Sequence, residues 1–288
     1  MNTLARTFAN DVLDLDQARA AFERDGFLMV PNALDAAQVR AIDAAFKTHL
    51  RAHPEDFACF SDSFITAPDV LPRTEAFDPV IENPRMFPLL ERLIGPDFAL
   101  EELSLMQRKP TQDVGELKGW HRDIIRAYER RHEIDAISVV YYLTDVAERD
   151  HCFSIVAQTH GPRVDMRPQD VKPGMEFDAL GPAGSAFVFH ARCIHAGKLK
   201  LGSRERRTIH LYFGHAHTPR TSEWTEIPPR LANRRDPHLP PKLYAKASMQ
   251  QSVDGVGRRP LGLPPGSSTA EQLMHVQRAA NRRDGAMP

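Results

Sequence analysis

Phe98-Ala-Leu-Glu-Glu-Leu-Ser-Leu-Met-Gln107 is where the hydrophobic pattern changes period, and that change decides the fold. Upstream, apolar residues recur at helical spacing. Asp16-Gln-Ala-Arg-Ala-Ala-Phe-Glu-Arg24 reads as a short helix stopped by Gly26, and Phe27-Leu-Met-Val30 as an apolar strand ended by Pro31-Asn32. Asp35 is placed to cap a longer helix with Val39, Ile42, Phe46 and Leu50 on one face. Residues 51 to 80 read as an irregular, proline-rich loop, and Asn83-Pro84 to Gly95 as another helix. From residue 98 onward the period is 2. Ile137 to Leu143, Cys152 to Val156, Ala186 to His190 and Thr208 to Phe213 are short strands bounded by Gly, Pro or Asp. Helices first and short strands after predict a mainly β chain with flanking helices, its antiparallel sheet closed into a barrel or sandwich.

Order fades after about residue 218. Pro228-Pro229, Pro240-Pro241 and Pro264-Pro265 punctuate a polar extension over 219-288, with one capped helix expected near Ser268 to Gln277. The expected division is therefore a single domain over 1-218, helices followed by the barrel, and a C-terminal extension over 219-288 that packs on its surface.

Composition narrows the class. The chain is long enough for one sizeable core, and its net charge of -1 favours neither nucleic acid nor an anionic membrane. Cys59, Cys152 and Cys193 form no C-x-x-C pair and no disulfide framework, and the chain sustains no apolar run of membrane-spanning length. The N-terminal residues lack the apolar run of a signal peptide. A cytoplasmic protein, monomer or homodimer, acting on a small molecule is the expectation.

Among 13 histidines and 38 acids, about two H-x-[DE] matches arise by chance, and the chain has two, His53-Pro-Glu55 and His121-Arg-Asp123. The motif alone carries nothing; context separates them. His53 and Glu55 flank a proline at a helix end. His121 and Asp123 follow the turn Gly119-Trp120, and in extended backbone residues i and i+2 point to one face, so imidazole and carboxylate can converge on one ion. His195, 72 residues beyond Asp123 and just past a strand, is the best third ligand. Two histidines and a carboxylate on one octahedral face suit Fe(II) oxygenases, although a tetrahedral zinc site with one water uses the same donors.

Arg206 bears on that choice. It falls 11 residues after His195, on a strand whose alternation puts Arg206, Thr208, His210 and Tyr212 on one face and Arg207, Ile209, Leu211 and Phe213 on the other. An arginine at a barrel mouth grips a dicarboxylate bidentately, and a hydrolytic zinc site has no need of it.

Three blocks together resemble the phytanoyl-CoA dioxygenase family of Fe(II)- and 2-oxoglutarate-dependent oxygenases. They are Phe22-Glu-Arg-Asp-Gly-Phe-Leu-Met-Val-Pro-Asn-Ala-Leu34, Trp120-His-Arg-Asp123 with Ala136 to Val146, and Gly184-Ser-Ala-Phe-Val-Phe-His-Ala-Arg-Cys-Ile-His195 with Arg206 beyond. The resemblance implies a double-stranded β-helix, the cupin-like jelly roll. It implies iron held by His121, Asp123 and His195, and Arg206 on the distal carboxylate of 2-oxoglutarate. Gln107 sits where some members place a polar contact to that cosubstrate. Fe(II), 2-oxoglutarate and O2 would then drive hydroxylation or desaturation, with succinate and CO2 as coproducts. Asp123 argues against halogenation, because halogenating relatives vacate that position. Substrate contacts are expected from residues 56-75, from Arg126 and from a barrel-facing Tyr141 or Tyr142. The family's Pro-Gly-Ser-His turn is replaced here by Ala157-Gln-Thr-His160, and Lys198-Leu-Lys-Leu stands where an asparagine often follows the distal histidine. Two other readings use the same residues differently: a zinc hydrolase or lyase on a cupin-like barrel, and a non-catalytic jelly-roll binding module.

Overall fold

The computed structural model describes residues 8–9, 12–61, 63–111, 119–123, 134–161, 164–201, 204–220 and 224–247. Helix α1 (Leu15–Asp25) is capped by Asp14, whose carboxylate accepts from the Asp16 and Gln17 amides. It ends at Gly26, whose φ of 85° is the left-handed conformation glycine adopts without cost. Strand β1 (Phe27–Val30) follows at once. Helix α2 (Ala36–Ala52) opens with a full capping box between Asp35 and Gln38.

Residues 51 to 80 are more ordered than their composition suggests. Strands β2 (Ala58–Ser61) and β3 (Phe64–Ala67) form a hairpin, and β3 pairs along the edge of the long β4 (Phe98–Arg108). The pairing satisfies backbone groups at an otherwise open sheet edge, which local sequence pattern does not register. Helix α3 (Phe87–Ile94) begins later than Asn83-Pro84 promised, after a turn in which the Met86 amide donates to Asn83 O.

Strands β5 (Ala136–Tyr142), β6 (Cys152–Val156), β7 (Glu176–Ala179), β8 (Ala186–His190), β9 (His195–Lys198) and β10 (Arg206–His215) complete two antiparallel sheets. The large sheet runs β1-β8-β5-β10-β4-β3-β2 and the small one β9-β6-β7. These are the two sheets of a jelly roll. The outer face of the large sheet packs on the helices through Leu28, Val139, Tyr141, Val188, Ile209 and Leu211. Its inner face meets the small sheet through Phe27, Val140, Tyr142, Phe153, Ile155 and Phe187. Strands β5 and β8 are buried throughout, as expected for strands covered on both faces.

After residue 224 the chain contributes to the same outer core. Ile227, Leu231 in α4 (Pro229–Ala232) and Leu243 are buried among the helices. The helix expected near Ser268 to Gln277 and the segment around Arg126 lie outside the described residues. Among the described residues no helix is long and apolar enough to cross a membrane.

Candidate metal centre and its anion pocket

His121 reaches its position through backbone pairing. Its amide donates to His195 O and the His195 amide to His121 O, both at 3.0 Å, so the two histidines sit side by side on one rung. The Asp123 amide donates to Ala191 O, which holds the carboxylate two residues further along the same segment. Arg122, pointing the other way, donates to the carbonyls of Thr159, Arg192 and Met166 and pins that segment to two loops.

Side-chain geometry turns these three residues toward one point. His195 Nδ1–H donates to Cys193 O at 3.0 Å, and His121 Nδ1–H to Gly119 O at 2.6 Å. Each ring therefore presents Nε2 with its lone pair free, the orientation that outer hydrogen bonds impose on metal-ligating histidines. Both Nε2 atoms lie near Asp123 Oδ1, at 3.4 Å from His121 and 3.5 Å from His195. One ligand atom from each residue falls within 4.8 Å of the others, close enough to share an ion.

Protonation favours the same use. Burial pushes His195 down to about 4, so its imidazole is neutral at pH 7. Burial works against the Asp123 carboxylate, but His195, His121 and Tyr212 outweigh it and bring it down to about 2. His121, whose side chain is about half exposed, moves the opposite way: partial desolvation opposes its charge, yet the Asp123 carboxylate and Gly119 O raise it overall. A metal entering here meets an ionised carboxylate and a neutral His195 imidazole, the forms in which those groups ligate.

Along β10 the alternation read from the sequence is the one found. Arg206, Thr208, His210 and Tyr212 face the barrel interior, whereas Arg207 faces the helices and pairs with Asp43. Tyr212, which motif reasoning did not single out, donates its hydroxyl to Asp123 Oδ2 at 2.9 Å. Arg206 is 3% exposed, lies over the Phe153 ring at 4.5 Å and donates through Nη1 to His151 O. Its Nε, Thr208 Oγ1 and His210 Nε2 are buried and have no hydrogen-bond partner among the described residues. Among the described residues no acid pairs with this buried guanidinium, and a charge so placed beside unpartnered polar atoms favours an anionic ligand.

Gln107 is not in that pocket. It stands opposite Arg207 in the β4–β10 register, so it shares the helix-side face, and its Nε2 donates to Glu205 at 2.5 Å. Tyr141 is also on the helix side, where Asn83 donates to its hydroxyl, so it does not line the barrel. Tyr142 does, and its hydroxyl donates to Ala179 O. From the hairpin, Phe64 and Thr66 stand opposite Arg108 and Met106, on the interior side.

A family model described as phytanoyl-CoA dioxygenase (PhyH) matches residues 22–208. No curated protein matches the chain. Among solved structures, the epimerase SnoN in complex with Fe3+, alpha ketoglutarate and nogalamycin RO is 20% identical, with a TM-score of 0.59 over 88% of this chain and 96% of that one. The non-heme monooxygenase ThoJ in its Ni complex is 20% identical, with a TM-score of 0.58 over 93% and 97%. AviO1 from Streptomyces viridochromogenes Tue57 is 18% identical, with a TM-score of 0.57 over 72% and 98%. At these identities the likeness speaks for the fold.

Proposed function

Since the chain belongs to the phytanoyl-CoA dioxygenase family, we propose that His121, Asp123 and His195 hold the catalytic Fe(II) and that Arg206 receives the distal carboxylate of 2-oxoglutarate. Membership makes the protein a non-haem Fe(II)/2-oxoglutarate-dependent oxygenase using O2. The finer reading is hydroxylation or desaturation of a small molecule. One observation carries the assignment: two Nε2 atoms and one carboxylate oxygen converge while each imidazole is tied back through Nδ1. Three protein ligands on one side leave the remaining positions for cosubstrate and O2.

Bound there, the iron with 2-oxoglutarate and O2 supplies the oxidation, in which the cosubstrate leaves as succinate and CO2. The protein's own residues set the stage for it. Tyr212 holds Asp123 Oδ2, so Oδ1 is the oxygen turned to the histidines. Asp123 occupies the position that a halogenating enzyme needs vacant, which supports oxygen insertion or desaturation. Arg206, orphaned at Nε, accepts a carboxylate bidentately, and Phe153 and Phe187 keep water from that end of the barrel. Gln107 has no part in this proposal, because its carboxamide is on the far face of β4. A zinc hydrolase on the same triad would leave Arg206 without a task.

Anaerobic protein given Fe(II) and 2-oxoglutarate should develop a weak visible charge-transfer band. His195→Ala should abolish it. A wild-type protein without the band, or a variant that keeps it, overturns the assignment.

A further inference from the structure

Arg108 is the β4 residue that faces Arg206. The two stand directly opposite in the β4–β10 register, and such cross-strand pairs hold their Cβ atoms about 5 Å apart on one face. Both guanidiniums then lean on a single rung of the small sheet. Arg206 lies over the Phe153 ring, and Arg108 Nη2 is 3.2 Å from where a Cβ would stand on Gly197. Phe153 and Gly197 are register partners between β6 and β9. The absent side chain at Gly197 is what gives Arg108 room to reach that rung.

Neither arginine has an ion-pair partner among the described residues. Arg108 is instead backed by the Phe64 ring, 4.2 Å from its guanidinium carbon. Burial and the neighbouring Arg206 charge together lower Arg108 to about 10, so the pair repels and still stays doubly charged at neutral pH. Two converging cations against an aromatic floor, beside the orphaned Arg206 Nε and Thr208 Oγ1, need a ligand end that carries full negative charge.

We propose that Arg108 is the second arm of a two-arginine clamp on the distal carboxylate of 2-oxoglutarate, closing from β4 on the group that Arg206 holds from β10. The inference rests on the cosubstrate reading above and assigns to Arg108 a role that position 107 does not fill. Its consequence is selectivity for the cosubstrate's length and charge. A 2-oxoacid lacking the distal carboxylate gains nothing from either arginine.

The test is an anaerobic titration of Fe(II)-loaded protein with 2-oxoglutarate and with 2-oxovalerate, followed by the charge-transfer band and by calorimetry. Arg108→Met should weaken 2-oxoglutarate binding about 10- to 100-fold, the range for one lost charge-assisted contact, and leave 2-oxovalerate binding as it was. Arg108→Lys keeps the charge and should recover most of the preference. Unchanged 2-oxoglutarate affinity in Arg108→Met overturns the clamp, and so does equal weakening of both oxoacids. Absence of the band in the wild-type protein is a failure of the metal assignment, distinguishable because it precedes any comparison of variants.

Discussion

Tyr212 on β10 and Asp123, a bend residue 89 positions earlier, meet at the metal site, where the phenol holds Oδ2 and leaves Oδ1 turned to the histidines. Burial raises the Tyr212 hydroxyl well above its usual range, so it remains a donor across neutral pH. Tyr212→Phe should therefore lower the affinity for Co(II) or Fe(II) about tenfold, measured by competition with a chromophoric chelator. Unaltered affinity would show that the carboxylate needs no such support. Asp150 makes a comparable prediction for stability. Its side chain is 1% exposed; Oδ1 accepts from Arg204 N and Nε, and Oδ2 from Ala147 N and Arg204 Nη2. The Arg204 bonds, with the two amides, depress its carboxyl well below the usual value near 3.9. A depressed folded-state pKa contributes stability above the unfolded value and loses it as pH falls toward the folded one. Asp150→Asn should cost about 2 kcal/mol at pH 7, and the gap between variant and wild type in urea midpoint should close progressively below pH 4. At this scale the convergence of His121, Asp123 and His195 followed from strand context together with the family blocks, not from the H-x-D motif itself, and the face of Arg206 from alternation. Gln107 misled because it neighbours the right position: one residue along a strand is the opposite face of the sheet.

Elements were legible where a pattern ran for several residues. The capping signals of α1 and α2 and the alternating face of β10 needed only local sequence. The β2–β3 hairpin and β9 were not, because four-residue strands such as His195-Ala-Gly-Lys198 carry no measurable period and exist through their partners. Gly26 shows how tightly one such junction is built. It ends α1 with its amide on Phe22 O, and its own carbonyl accepts from the His190 amide of β8. A Cβ there would overlap Cys193 Sγ and His160 Nδ1. Burial pushes the Cys193 thiol up to about 12, so it packs as a neutral group in that crowded corner. Gly26→Ala combines a disfavoured positive φ with overpacking and should cost about 3 kcal/mol in a denaturant titration. A loss under about 1 kcal/mol would mean that the corner relaxes without strain.

The whole molecule is closed by the segment after β10. Thr225 Oγ1 donates to Pro68 O and accepts from the Leu103 amide, while the Leu100 amide donates to Leu243 O. Arg230 and Arg234 reach Asp78 and Glu82, and Tyr244 donates to Glu82 at 2.6 Å. The deepest tie is Lys246, fully buried and bonded to Glu101, itself fully buried on β4. Burial drives the Lys246 ammonium toward its neutral form and the Glu101 carboxylate opposes that shift. Proline punctuation predicted a surface wrap for this stretch, because hydropathy cannot register a buried ion pair whose partners stand 145 positions apart. Lys246→Met strips the ammonium from a buried carboxylate and should cost about 4 kcal/mol. The double variant Glu101→Gln with Lys246→Met removes both charges and should regain more than half of that loss, since two neutral groups carry no Born penalty. If the single and double variants unfold at the same urea concentration, the pair contributes through packing and not through charge. A chain ending at residue 218 loses Ile227, Leu231 and Leu243 from the outer core together with this pair, and is expected to show no cooperative unfolding transition by calorimetry.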